Sequence, residues 1–218
     1  MFERDFRTAS GGRLRFISSL TEGNYNWLFL PGGPGLGSEV LAPLTEILNL
    51  PGTIWHFDLP GDGSNLGSIE CWSQAIIEAA TALENVIFVG HSSGGLFLQA
   101  VPELEKILKG LVLLDTSPDR TWQDEFAKKA LQYPLPEADK LAQEYLNNPS
   151  DESLKRYVLA SAPHFFTTLG LEKGIKSLEN LPYDYNAIQW TRENFDPTYE
   201  TKWIPQQIPT RFYPAQKI

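Results

Sequence analysis

Residues 85–97, NVIFVGHSSGGLF, run four apolar residues into Gly90-His91-Ser92-Ser93-Gly94-Gly95 and then resume an apolar stripe. Val86 to Val89 are apolar at every position, the pattern of a strand covered on both faces, as in a parallel sheet. The glycines that follow suit a tight turn from strand into helix, and Gly90-His91-Ser92-Ser93-Gly94 fits G-x-S-x-G, in which a serine stands exposed on that turn. The stretch therefore predicts a parallel α/β sheet with a nucleophile at a strand end.

Working outward, strand and helix patterns alternate on both sides. RLRFISSL (13–20), YNWLFL (25–30), TIWHFDL (53–59) and GLVLLD (110–115) read as strands; VLAPLTEILN (40–49), ECWSQAIIEAATAL (70–83) and GGLFLQAVPELEKIL (94–108) read as helices. Such alternation builds parallel crossover units. From Thr121 to about Phe195 the chain turns polar and helical, punctuated by Pro134, Pro136, Pro149, Pro163 and Pro182. The expected division is a core over 1–116, a helical cap or lid over 117–200, and a return to the core over 201–218. A lid in this place would cover the C-terminal ends of the strands, where open α/β sheets bind ligands; a solvated helical extension of the core fits the same pattern.

The bulk composition sets limits. The chain has 218 residues, 42% hydrophobic and 21% charged, enough for one large core. Its formal charge is −9, from 27 acidic and 18 basic side chains, which argues against nucleic acid or an anionic membrane surface as partner. The single cysteine, Cys71, offers neither an internal disulfide nor a clustered zinc set, and a reducing cytoplasm is the expected location. No apolar run approaches a membrane span or the core of a signal peptide. No cofactor and no metal are expected.

A second glycine cluster, Leu30-Pro31-Gly32-Gly33-Pro34-Gly35-Leu36-Gly37, follows the strand YNWLFL. Its free N–H groups suit an anion or oxyanion, but neither a phosphate-loop Lys-Ser/Thr nor a G-x-G-x-x-G spacing is present. A plain flexible loop is the alternative.

With these residues in hand, the chain resembles the α/β-hydrolase superfamily, in particular its proline iminopeptidases and related esterases. The loop GGPG (32–35) is similar to their H-G-G-P-G loop, DLPGDGSN (58–65) to the D-x-P-G-x-G-x-S turn, and GHSSGG (90–95) to the nucleophile elbow. The resemblance implies a serine hydrolase in which Ser92 attacks an acyl carbon and the N–H groups of Ser93 and Gly33 form the oxyanion hole, with small esters, amides or peptides as substrates. Pro31 stands where the motif has the histidine that braces the loop.

The resemblance also implies a chain order of Ser, then Asp or Glu, then His after the last strand. Of the three histidines, His91 is a spacer beside the serine, and His56 lies inside a strand, where a structural role is expected. His164, in the helical segment, either serves as the base from the lid or packs among aromatics. Asp115 occupies the family's alternative acid position after the sixth strand, or is a turn residue of DTSPD. IPTRFYPAQKI should supply the seventh strand, yet Arg211, Pro214 and Gln216 stand where other strands carry Val, Leu and Ile. The expectation is a chain that stops before its triad is complete, with an uncovered sheet edge open to self-association. A non-catalytic member of the fold, binding a ligand or partner through its lid, is the rival. Trp122, Tyr133, Phe165, Phe166, Tyr183 and Trp190 suit an apolar substrate pocket or ordinary core packing equally.

Overall fold

The computed structural model describes residues 5–20 and 22–214. The apolar runs form strands where expected: β2 (Arg13–Ser19), β3 (Asn26–Leu30), β4 (Thr53–Asp58), β5 (Val86–His91), β6 (Gly110–Leu114) and β7 (Thr210–Tyr213). A short first strand, β1 (Asp5–Arg7), was not expected, because three residues with one apolar side chain carry no periodicity to read. The strands make one sheet in the order β1-β2-β4-β3-β5-β6-β7. β1 and β2 run antiparallel to their neighbours and the other pairings are parallel. This is an α/β-hydrolase fold with a mostly parallel sheet.

Register brings the strand ends that matter side by side. Leu30 pairs with Gly90, and Gly90 with Leu113, so the turns after β3, β5 and β6 open on one edge of the sheet. Leu28, Leu30, Phe57, Phe88 and Leu113 face α2 (Trp72–Ala82) and α3 (Ser93–Gln99) across the main core. Phe97 is fully buried, its ring 4.3 Å from that of Phe195. Burying one such side chain is worth about 1.5–3 kcal/mol.

Two predicted helices are shorter than their patterns. Residues 40–49 yield a 3₁₀ turn, Ser38–Leu41, and a single α-helical turn, α1 (Ala42–Thr45). Ile47 beyond it is 79% exposed, and Leu48 and Leu50 reach the core from non-helical chain instead of from a further helical turn. Over 94–108, α3 ends at Gln99 and a 3₁₀ segment, Pro102–Lys106, follows. Pro102 has no N–H to give the Leu98 carbonyl, which instead accepts from Val101 N–H at 3.2 Å and from the Trp203 indole at 2.8 Å.

Between β6 and β7 lie α4 (Thr121–Gln132), α5 (Pro136–Asn147), α6 (Asp151–Ala160), α7 (Leu171–Glu179) and α8 (Tyr185–Trp190), the last continued by a π-helical turn, Thr191–Phe195. Tyr145, Leu154, Val158, Leu178 and Leu181 form a core of their own, against which Leu36 and Val40 pack from the loop after β3. Ala187, Phe195 and Tyr199 belong to the sheet's core instead. None of these helices, nor any other among the described residues, is long and apolar enough to cross a membrane.

β7 pairs only with β6 among the described residues, and Phe212 and Tyr213 on it are exposed. The rest of the expected seventh strand, from Ala215 and including Gln216, lies outside the described residues.

Candidate active site

Ser92 follows β5 directly and has φ 51° and ψ −125°, a conformation rare for a residue with a side chain. The backbone on each side enforces it. Ser92 N–H donates to the Leu114 carbonyl at the end of β6 (2.9 Å), and the Ser92 carbonyl accepts from Gly95 N–H (2.9 Å) as α3 begins. A Cβ on Gly94 would lie 2.5 Å from the carbonyl oxygens of Leu30 and Pro31, and one on Gly90 would lie 2.7 Å from the Gly95 Cα. The glycines of the motif are thus where strand, helix and neighbouring loop touch through their backbones.

The second glycine cluster meets the first. A Cβ on Gly32 would stand 2.3 Å from the Ser92 Cβ and 2.8 Å from the Ser93 nitrogen, so this loop lies directly against the serine. Gly33, at φ 65°, turns the chain, and Leu36 N–H closes the turn on the Gly33 carbonyl at 3.0 Å.

Beneath the loop sit two buried carboxylates. Asp58, at the end of β4, is fully buried; its Oδ2 pairs with Arg13 Nε (2.9 Å) and Arg15 Nε (3.2 Å) from β2, and its Oδ1 accepts from Ser38 N–H (2.7 Å). Arg15 Nη1 also donates to Glu39 Oε1 (2.8 Å). Asp62, 2% exposed, has no such cation: its Oδ1 accepts from Gly35 N–H (2.7 Å) and Gly37 N–H (3.2 Å). Burial, then the neighbouring Asp58 carboxylate, push Asp62 up to about 7; the two glycine N–H groups oppose the rise, and Asp184 adds a small push. From the sequence, DLPGDGSN reads only as a turn. No local signal marks Asp62, because the groups that enclose it, Gly35 and Gly37, lie 27 and 25 residues earlier in the chain.

A family model described as "Alpha/beta hydrolase family" matches residues 27–210. The chain belongs to the alpha/beta hydrolase family. Among solved structures it is similar to a proline iminopeptidase-related protein from Thermus thermophilus, with TM-score 0.66 and 19% identity over 97% of this chain and 80% of that one. A proline iminopeptidase from Mycobacterium smegmatis gives TM-score 0.59 and 13% identity over 95% and 80% of the two chains. An esterase of a marine microorganism gives 0.57 and 17% over 91% and 79%. No curated protein matches the sequence significantly.

In this alpha/beta hydrolase the three histidines lie in three places. His56, 2% exposed, bonds through Nε2 to the Thr45 hydroxyl (2.9 Å); burial, then Arg15, lower it to about 4 against the pull of Asp58. His91 buries Nδ1 without a partner, and burial lowers its pKa while Asp115 pulls the other way. His164 Nε2 meets the Tyr133 carbonyl at 2.8 Å, and its ring stands edge-on to Phe126 of α4 at 5.8 Å. Among the described residues no side chain is hydrogen-bonded to the Ser92 hydroxyl. Asp115 follows β6 at φ 48°, exposed, with its N–H given to the Tyr213 carbonyl (2.8 Å).

The aromatic residues of the helical segment do not gather round one cavity. Trp190 lines a hollow of about 140 Å³ with Trp72, Phe195 and Tyr199, whereas Trp122, Tyr133 and Phe165 are exposed. No cluster of three or more His, Cys, Asp or Glu side chains among the described residues is arranged to hold a metal ion.

Proposed function

We propose that this alpha/beta hydrolase is a serine hydrolase of small ester or amide/peptide substrates, working through an acyl-enzyme on Ser92. The observation that carries the proposal is the close approach of the residue 32–37 loop to a strained Ser92, with Gly32 packed against the Ser92 Cβ and the Ser93 nitrogen; in this reading the neighbouring Gly33 N–H and the Ser93 N–H are the oxyanion donors. In this reading Ser92 Oγ adds to the acyl carbon while a base takes its proton. The carbonyl oxygen becomes the oxyanion received by Gly33 and Ser93 N–H. The alcohol or amine leaves with a proton, and water then releases the acid from the ester on Ser92. The peptidase and esterase among its structural neighbours support the substrate class. Residues 117–200 act as the lid, and the reducing cytoplasm is the proposed setting of a chain whose one cysteine, Cys71, is free and exposed.

For His164 to be the base it has to leave the Tyr133 carbonyl, and for Asp115 to be the acid a histidine has to reach it. The second reading, a non-catalytic member of the fold that binds a ligand or partner through the lid, is favoured by the distribution of the three histidines, none of which bonds Ser92. Intact mass before and after a fluorophosphonate probe separates the two, with Ser92→Ala as control and His164→Ala as second variant. A single adduct lost only in Ser92→Ala supports the hydrolase; loss in both assigns the base to His164. Folded protein without an adduct overturns the acyl-enzyme and leaves the binding reading.

A further inference from the structure

Gly35 is held from both sides. Its N–H goes down to Asp62 Oδ1 (2.7 Å), and its carbonyl accepts from the N–H of Asp184 (2.8 Å), the residue that caps α8. A Cβ on Gly35 would stand 2.3 Å from the Asp184 carbonyl oxygen, so the loop is pressed against the helical segment as well as bonded to it. Gly37 is likewise enclosed: a Cβ on Gly63 would come within 2.6 Å of the Gly37 Cα, and Pro182 closes over both. The loop that runs past Ser92 therefore lies between the helical segment and Asp62, which it bonds through two N–H groups and which is 2% exposed.

A carboxylate in that position is poorly served when it is ionised. The two cations nearby, Arg13 and Arg15, are taken by Asp58, and Arg15 is shared with Glu39. The remaining charges acting on Asp62 are of its own sign: Asp58 from the end of β4 and Asp184 from the start of α8. Two backbone N–H groups, both on Oδ1, are the hydrogen bonds it accepts among the described residues, and a buried charge without a cation gains most by reaching water. Water is reached by lifting the loop.

We propose that Asp62 is a positioning residue of the 32–37 loop and a proton-operated latch: protonated, it keeps the loop seated between Ser92 and α8, and ionised, it favours release of the loop from both. The role rests on the reading of Gly33 as an oxyanion donor, because seating the loop is what fixes that N–H. The sign follows from linkage. The closed loop binds the proton up to about pH 7, well above the value of a carboxylate in water, so opening becomes easier as pH rises toward 7 and no easier beyond it.

Amide hydrogen exchange read residue by residue by NMR tests the latch without requiring turnover. After correction for intrinsic exchange, protection at Gly35, Gly37 and Asp184 is expected to fall by about tenfold per pH unit between about pH 5 and 7 and to level off above it. Asp184 is the informative member, since its N–H bonds the Gly35 carbonyl and not Asp62. Asp62→Asn keeps an acceptor oxygen but no titration, and its three amides should show no such slope. A flat wild-type profile, a slope that survives in Asp62→Asn, or a slope at the glycines that Asp184 does not share would each overturn the proposal. Fluorophosphonate labelling keeps the two readings apart: a clear slope in protein that never labels sinks the acyl-enzyme and not the latch, whereas labelling with no slope sinks the latch alone.

Discussion

The turn over residues 90–95 keeps its shape by contact between backbone atoms, whereas the loop over residues 32–37, packed against it, keeps its shape through two buried carboxylates. Around Ser92 the constraints are short distances: Gly94 against the Leu30 and Pro31 carbonyls, Gly90 against Gly95. Around Gly33 they are Asp62 on two N–H groups and Asp58 on a third. Contact of the first kind ignores pH. The loop has such contacts too, at Gly32 and Gly35, but adds to them bonding of the second kind, which depends on charge.

That contrast can be broken at its charged side first. Asp58→Ala leaves Arg13 facing no carboxylate and Arg15 with Glu39 alone, their side chains only 16% and 20% exposed, and frees Ser38 N–H. Breaking a buried pair costs about 3–5 kcal/mol, and the partial exposure of both arginines puts the expectation at about 3 kcal/mol, read from the urea midpoint. On the other side, Gly94→Ala drives a methyl into two backbone oxygens that cannot rotate away. Overpacking of this kind costs about 1–3 kcal/mol, and here the loss should be the same at pH 5 and pH 8. If it varied with pH, the two turns would not be separable. The smallest effect sharpens the contrast: Ser92→Gly removes the strain of φ 51° and ψ −125° and should gain about 1 kcal/mol, while Ser92→Ala, which keeps a Cβ, should not. Equal stability of the two variants would mean that the elbow stores no strain.

The difference between the two turns also decided how far each could be read from the sequence. Residues 85–97 announce themselves, because a buried parallel strand, a helix and the glycines between them are all local patterns. The continuous apolar runs of β5 and β6 and the polar helices after them are legible for the same reason. β1 is not, since its place is fixed by pairing with β2 and by Arg7 reaching Asn65, 58 residues away. Nor are the ends of α1 and α3, which depend on Leu48 and Leu50 reaching the core from non-helical chain and on Trp203 claiming the Leu98 carbonyl. Asp62 was hardest to see. Nothing in DLPGDGSN tells a surface aspartate from a buried one; its burial comes from glycines 27 and 25 residues earlier that let the loop close over it.

The join between Gly35 and Asp184 bears on how such a protein can be re-engineered. Because the bond runs from one main-chain atom to another, it makes no direct use of the side chain at 184, which caps α8, and is strict about where the start of that helix sits against the loop. The contact itself therefore constrains the position of one N–H in the 117–200 segment and not the residue that carries it. A segment grafted from another protein of the family would need to start the matching helix in the same place, whatever the length of chain before it.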